Sequence, residues 1–196
     1  MADLFSKWTF DDIRVLIAAY PMASIISGGS DISISDMPML LDVDADGQPV
    51  SLLGHFPIKN PHFDILKNNP RALFNFQGPN DYISPAYAGK SDWAPTWNFA
   101  TVRIMAEVHF DDALTDEALH RVVAHMERSQ PEQWQLSNLG ARYKKLRSGV
   151  IGFRGQIQSV TGRFKLGQDE SDTVFESILS KLDNDPLREW MQRMRK

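Results

Sequence analysis

Residues 37–53 read MPMLLDVDADGQPVSLL. The apolar runs Met37–Val43 and Val50–Leu53 flank Asp44-Ala45-Asp46-Gly47, and two such runs around an Asp/Gly turn predict a β-hairpin. The segment also begins like a calcium loop, but Leu53 stands at the twelfth position, where that loop needs a bidentate glutamate. We therefore predict a hairpin, whose two strands pair in the antiparallel sense.

Other extended runs, bounded by turn residues, lie on both sides of this hairpin. They are Ala23–Ser27, Ile32–Ser35, Arg71–Phe76, Tyr82–Ser84, Thr96–Phe110 and Gly149–Leu166. Gly28-Gly29-Ser30-Asp31 predicts a tight turn between the first two runs, and Gly162 predicts a turn or bulge within the last one.

Helical patterns occupy the two ends of the chain and one insertion. Thr9 is expected to cap a first helix, and Pro61–Lys67 predicts a short second helix with proline in its first turn. The insertion, around residues 115–147, holds two helical candidates, and residues 172–194 predict a C-terminal helix. Short strands with peripheral helices predict an α+β protein, a small antiparallel barrel in one domain over residues 1–196.

Composition excludes several classes of site. The 196 residues carry 21 Lys plus Arg against 25 Asp plus Glu, a net charge of −4, which argues against a protein that mainly grips DNA phosphates. The absence of cysteine excludes disulfides, thiolate metal sites and cysteine nucleophiles. Because no apolar run is long enough to span a membrane and the N-terminus does not resemble a signal peptide, we expect a cytoplasmic protein without a membrane partner.

Motifs of common enzymes are missing from the sequence. The five histidines form no HExxH zinc pattern, and GxGxxG, P-loop and GxSxG motifs do not occur. Two basic runs, Arg142–Arg147 and Arg193–Lys196, suit either solvated helix ends or nucleic-acid contact. Catalysis by side chains alone therefore has no positive signal.

Two segments carry side chains that suit a ligand. Residues 54–61 bring His55, Lys59 and Asn60 to a strand-to-helix junction, a set that suits a phosphate, although an ordinary loop with Asn60 as helix cap is the alternative. Residues 80–99 are dense in Tyr and Trp, which suit stacking on a heteroaromatic ring, although a core or dimer interface is the alternative.

Seven motifs follow one another in a characteristic order along nearly the whole chain. They are MPMLLD (37–42), Gly54-His55 with Asn60-Pro61, FQGP (76–79), YISP (82–85), PTWNFA (95–100), IGF (151–153) and FKLGQ (164–168). Together they resemble the PaiB-type FMN-binding proteins, often labelled FMN-binding negative transcriptional regulators, and PTWNFA is the most specific of the seven.

The resemblance implies a split β-barrel of the flavin-reductase and pyridoxamine-oxidase kind, a homodimer with FMN at its interface. By motif position it assigns cofactor contacts to His55, Asn60, Tyr82, Ser84, Thr96, Trp97 and Gln168. Trp97 is expected to approach the flavin from the partner chain. Lys59 is the cation expected to neutralise the FMN phosphate.

The chain departs from the family pattern at several positions. Asp36 stands where the family usually has His, and Ile58 where it usually has Arg, so Lys59 is the candidate replacement for the lost cation. Ala86-Tyr87 follows the Ser-Pro pair in place of Ser-Trp-Tyr. Gly167–Glu170 replaces Ser-Gln-Asn-Arg and introduces two acids.

Three functions remain open at this stage. The first is an FMN-dependent oxidoreductase acting on a small-molecule substrate, with NAD(P)H as a candidate electron donor. The second is a flavin-responsive transcriptional regulator without its own helix-turn-helix, and the third is an FMN-free relative that uses the interface cleft for another small ligand. Because the net charge counts against direct DNA contact, we favour the oxidoreductase.

Overall fold

The computed structural model describes residues 3–28 and 31–195. In this part of the chain, seven strands form one sheet in the order β2-β1-β5-β6-β7-β4-β3, and all neighbouring strands are antiparallel. The strands are β1 (Met22–Gly28), β2 (Ile32–Pro38), β3 (Leu40–Val43), β4 (Pro49–Pro57), β5 (Arg71–Ile83), β6 (Thr96–Phe110) and β7 (Val150–Lys165).

Seven α-helices among the described residues surround the sheet. They are α1 (Phe10–Ala19), α2 (Pro61–Asn68), α3 (Pro85–Ala88), α4 (Thr115–Glu127), α5 (Arg142–Arg147), α6 (Asp172–Lys181) and α7 (Asp185–Met194). Thr9 caps α1 as predicted, in a capping box where Asp12 N–H donates to Thr9 Oγ1 at 3.2 Å and Thr9 N–H donates to Asp12 Oδ2 at 2.8 Å.

The three central strands are long and enclose the main core. β5, β6 and β7 contain 13, 15 and 16 residues, and they bury one face of the sheet against α1, α6 and α7. The sheet curls until β2 and β4 approach each other, where Asn60 Nδ2 donates to Ser35 Oγ at 3.0 Å. Five phenylalanines with no solvent exposure fill the interior: Phe56, Phe74, Phe76, Phe153 and Phe164.

The predicted hairpin is confirmed, but its first strand is shorter than expected. Asp44 Oδ1 accepts from the N–H groups of Asp46 and Gln48, at 3.0 and 2.9 Å, and so forms the turn between β3 and β4. The predicted run Met37–Val43 is divided at Met39, whose N–H donates to Pro21 O at 2.9 Å. Its first two residues belong to β2 instead.

The predicted irregularity at Gly162 is wrong. β7 runs without interruption through Gly162, and a Cβ there would lie 2.9 Å from Trp8 Cδ1 and 2.7 Å from Phe164 Cε2. Gly162 is therefore needed for close packing and not for a turn. The pairing of β6 with β7 shifts instead between Met105 and Ala106, opposite Gln158.

Two helical predictions change. The predicted C-terminal helix 172–194 is two helices, because Asn184 caps α7 through an acceptor bond from Leu187 N–H at 3.1 Å. The second helical candidate of the insertion, which the sequence places at Leu136–Leu146, is a 3₁₀ turn, Leu136–Leu139, followed by α5, with Gly140 between them at φ 53°. The predicted turn 28–31 falls partly on residues 29 and 30, which lie outside the described residues.

Membrane-spanning helices and clusters of metal ligands are both absent from residues 3–28 and 31–195. None of the helices there is long and apolar enough to cross a membrane. No three His, Asp or Glu side chains in the same ranges come together as metal ligands.

Candidate functional site

The predicted site residues form two groups at opposite ends of the long strands. One group, which we call the His55 end, consists of His55, Lys59 and Asn60. His55 pairs with Gly152 near the start of β7. The other group, which we call the Trp97 end, consists of Tyr82, Ser84, Thr96, Trp97 and Gln168. It lies where Lys165 finishes β7. At about 3.3 Å per residue, the 13 residues from Gly152 to Lys165 separate the two ends by roughly 40 Å of strand.

His55 points away from the barrel core, toward α4. Leu53, two residues earlier on the same face of β4, belongs to a small apolar cluster with Ala118 and Val122 of α4. His55 is half-buried, and its Nδ1 atom is enclosed without a hydrogen-bond partner. Burial lowers the pKa of His55, because it disfavours the charged imidazolium. A neutral imidazole with one unsatisfied nitrogen is therefore present at this end.

Asn60 caps α2, as the alternative prediction for this loop stated. Its Oδ1 accepts from His62 N–H at 3.0 Å, and its own backbone carbonyl accepts from Phe63 N–H at 2.9 Å. The N–H groups of His62 and Phe63, which a phosphate at this helix start would need, are therefore already bonded, and Pro61 has none. Lys59 is exposed beside the cap and remains available to a phosphate.

A buried polar network behind Asn60 was missed by the sequence analysis. His62 Nε2 lies 2.7 Å from Ser27 Oγ, and His62 Nδ1 lies 3.0 Å from Ser35 Oγ, which also accepts from Asn60. His62 is only 3% exposed, and burial lowers its pKa. These partners are 35 and 27 residues from His62 along the chain, so no local pattern could have indicated them.

The Trp97 end displays two aromatic rings to solvent. Tyr82 and Trp97 are cross-strand partners on β5 and β6, with ring centroids 6.1 Å apart and an interplanar angle of 66°. They are 44% and 54% exposed, which is unusual for rings of this size beside a well-packed barrel. The core alternative for these two rings is therefore wrong, while the ligand and dimer-interface alternatives both remain.

Thr96 accepts a hydrogen bond from a lysine that was not among the predicted site residues. Lys165 Nζ donates to Thr96 Oγ1 at 2.5 Å and to the backbone carbonyl of Trp97 at 2.9 Å. These bonds fix the backbone at the start of β6, where Trp97 presents its exposed indole. The only sequence signal for Lys165 is its place in the FKLGQ motif.

Two other predicted residues hold backbone in place. Gln168 closes the turn after β7, because its Oε1 accepts from Leu166 N–H at 2.8 Å and its Nε2 donates to Phe164 O at 2.6 Å. Ser84 caps α3 by accepting from Ala86 N–H at 3.3 Å. Both side chains therefore shape the Trp97 end.

Glu170 gives a structural reason for one departure from the family pattern. Trp93 Nε1 donates to both carboxylate oxygens of Glu170 at 3.1 Å, and so ties the loop before β6 to the turn after β7. An arginine at position 170 has no acceptor for this indole N–H. The acid at this position therefore anchors the loop that leads into Thr96 and Trp97.

A family model described as "Putative FMN-binding domain" matches residues 2–159. The chain belongs to this FMN-binding family. The match confirms the resemblance found in the sequence and FMN as the predicted cofactor.

Two relatives are similar to the chain in sequence. The chain is 26% identical over 139 residues to protease synthase and sporulation protein PAI 2 of Bacillus subtilis, a match that covers 68% of this chain and 65% of that relative. It is 24% identical over 192 residues to uncharacterized protein AN0679 of Emericella nidulans, covering 78% and 76%.

Two solved structures share the fold. The flavocytochrome Anf3 of Azotobacter vinelandii has a TM-score of 0.63 at 13% identity, covering 83% of this chain and 70% of that one. The FAD and heme binding protein of Mycobacterium smegmatis has a TM-score of 0.64 at 11% identity, covering 91% and 80%. The α+β split β-barrel predicted from the sequence is thus confirmed.

The side chains present fit the chemistry of FMN. Tyr82 and Trp97 offer exposed aromatic surface for a heteroaromatic ring, and Lys59 offers an exposed cation for a phosphate. The enclosed Nδ1 of His55 is a polar atom still in need of a partner.

Proposed function

We propose that the protein is an FMN-dependent oxidoreductase that works as a homodimer. In this arrangement each flavin lies between the His55 end of one protomer and the Trp97 end of its partner. The observation that carries the proposal is the position of the two ends, at the start and the finish of β7. A two-fold axis exchanges equivalent surfaces, so it can bring one end of each chain against the other end of its partner.

An apolar stripe on the outer face of the sheet supports the homodimer. Ile34, Ile26, Leu73 and Met105 follow one another across β2, β1, β5 and β6 in pairing register, with Ile34 60% exposed. Trp97 lies on the same face as Met105, because the two are an even number of residues apart. A partly exposed apolar stripe of this kind is suited to a second copy of the chain.

In the mechanism, a bound flavin supplies the electron and hydride transfer. Tyr82 and Trp97 would contact the ring and exclude water from it. Lys59 balances the phosphate charge at the other end of the ligand. His55 stays neutral near pH 7, because burial lowers its pKa, and serves there as a hydrogen-bond partner without adding charge.

The regulator alternative has less support in the charge distribution. Of the two basic runs, Arg147 pairs with Asp112 and Asp116, and Arg193 pairs with Asp11 and Asp12. Neutralised arginines contribute little to phosphate binding. A mobility shift with promoter DNA at low salt would favour this alternative over catalysis.

The first test is the absorption spectrum of freshly purified protein, before and after addition of FMN. We expect a flavin spectrum that bleaches when NAD(P)H is added without air. Protein that stays colourless after incubation with FMN would contradict the proposal and favour an FMN-free relative.

The composite site has its own test by mixing two variants. His55→Ala and Trp97→Ala dimers each carry one defect in both sites, whereas a mixed dimer has one intact site and one doubly defective site. Random exchange of subunits should therefore restore roughly a quarter of the sites to full affinity. If both groups serve one site within a single chain, mixing restores none.

A further inference from the structure

Lys165 is a half-buried ammonium group whose hydrogen-bond acceptors are both neutral. Its Nζ donates to Thr96 Oγ1 and to Trp97 O, and it lies 5.9 Å from the centroid of the Phe5 ring. Among residues 3–28 and 31–195, no carboxylate lies within 4 Å of this nitrogen. One of its three N–H groups is therefore left for a further acceptor.

The charged groups around Lys165 do not replace such an acceptor. Arg163 faces it from the same strand and is paired with Asp3. Glu170 is bonded to Trp93, and Asp169 acts from an exposed position. Burial lowers the pKa of Lys165, and it outweighs the opposing effect of the two acids. A partly desolvated cation of this kind gains most from a nearby anion.

The position of Lys165 restricts which anion can approach it. Its bonds to Thr96 and to the Trp97 carbonyl place the ammonium group against the backbone of the residue that carries the exposed indole. In the proposed dimer, the indole faces the flavin ring, and the phosphate lies at the partner's Lys59. The group nearest to Lys165 is then part of the ring system.

We propose that Lys165 is the cation that stabilises the reduced flavin in this site. The inference rests on the proposed function. When the ring takes up two electrons and one proton, the proton goes to N5 and one negative charge is shared between N1 and the C2 carbonyl oxygen. A fixed cation beside that position binds the reduced form more tightly than the oxidised form, and so raises the reduction potential of the bound flavin.

The experiment compares the affinities for oxidised and reduced flavin in Lys165→Met and wild-type protein. Oxidised FMN is titrated in air, and FMN reduced with dithionite is titrated under argon. We expect Lys165→Met to weaken binding of the reduced form at least tenfold more than binding of the oxidised form. That ratio lowers the midpoint potential by about 30 mV for a two-electron couple.

Three controls make the result specific. Lys165→Arg keeps the charge, so its affinity for reduced FMN relative to oxidised FMN should stay close to that of the wild type. Lys144→Met removes an exposed lysine of α5 and should leave this ratio of affinities unchanged. Riboflavin, which lacks the phosphate, should show the same ratio as FMN. Thermal melts of each variant confirm that the barrel is folded.

Each other outcome overturns the assignment. If Lys165→Met weakens both forms of FMN equally and leaves riboflavin unaffected, Lys165 binds the phosphate. If neither affinity changes, Lys165 has no role toward the ligand. If wild-type protein binds no flavin in either state, the proposed function itself fails, and the assignment fails with it.

Discussion

The two ends of the long strands differ in how completely they satisfy their own polar groups. At the His55 end, Asn60 caps α2, and His62 bonds two serine hydroxyls. At the Trp97 end, two aromatic rings are exposed, and Lys165 has only neutral acceptors. Apart from His55 Nδ1, which has no partner among the described residues, the buried side-chain polar atoms of the first end are bonded within the chain, whereas the second end is open to a ligand or a second chain.

This difference distinguishes residues that stabilise the fold from residues that are available for binding. Groups that are already bonded within the chain contribute mainly to stability, and their loss should lower the free energy of unfolding. Groups left exposed contribute little to the stability of one chain, and their loss should appear in flavin affinity or dimer affinity. Substitutions at the two ends can therefore test the comparison.

The largest expected effect is on stability, at Gly152 beside the His55 end. A Cβ at this position would lie 2.5 Å from Leu114 C and 2.6 Å from Thr115 N, and backbone atoms cannot move aside easily. Gly152→Ala should lower the free energy of unfolding by about 3 kcal/mol, measured by urea denaturation. Gly149→Ala is the matched control, because its nearest contact would be an ordinary 3.4 Å. Equal stability of the two variants would show that α4 is not packed tightly against β7.

The second effect is on binding, at the other end. Trp97→Ala should leave the urea midpoint nearly unchanged but weaken FMN binding about tenfold, since an aromatic contact contributes about 1 kcal/mol beyond its buried area. Flavin fluorescence measures the affinity, and sedimentation measures the dimer. Trp134→Ala, which removes another partly exposed indole, should change neither. A large loss of stability in Trp97→Ala would show that Trp97 stabilises the fold and is not reserved for binding.

The third effect separates the two roles at Asn60. Asn60→Ala should lower the free energy of unfolding by about 1 kcal/mol, as expected for loss of a helix cap. Asn60→Asp keeps a cap acceptor and should restore most of that stability, while its negative charge should weaken FMN binding if the phosphate lies nearby. FMN affinity equal to that of the wild type in Asn60→Asp would limit this residue to capping.

The smallest effect is expected from pH, through buried His62. Burial lowers the pKa of His62 in the folded protein, so the unfolded chain takes up a proton first as the pH falls. The stability linked to neutral His62 is therefore present above about pH 6.5, the ordinary pKa of histidine, and is lost as the pH falls below it. The difference between the urea midpoints at pH 7.5 and 5.5 should be smaller in His62→Gln than in the wild type, but unchanged in the exposed control His120→Gln.

Local signals allowed much of the fold to be predicted from the sequence. The Thr9 capping box, the Asp44–Gly47 turn and proline at the start of α2 each depend on residues within four positions of one another. They appear in the sequence for that reason. Two features depend on segments far apart in the chain, so they could not be predicted. They are the division of the run Met37–Val43 at Met39, which bonds Pro21, and the packing of Trp8 against Gly162.

The site was predictable in its residue types but not in its arrangement. The family motifs named the exposed rings and the Asn60 cap, yet they could not show that these lie at opposite ends of β7. Lys165 is bonded to Thr96, 69 residues away in the sequence, and His62 to Ser27, 35 residues away. Such pairs follow from strand register, which is fixed only once the whole sheet is assembled.

β7 is the one strand that pairs with both β4 and β6 in the described sheet. The number of residues in β7 therefore sets the distance between the His55 end and the Trp97 end. Loss or gain of one residue between Gly152 and Lys165 would turn every later side chain to the opposite face, unless the extra residue at Gln158 absorbed it. Across related proteins, substitutions within β7 should therefore be common, while insertions and deletions between Gly152 and Lys165 should be rare.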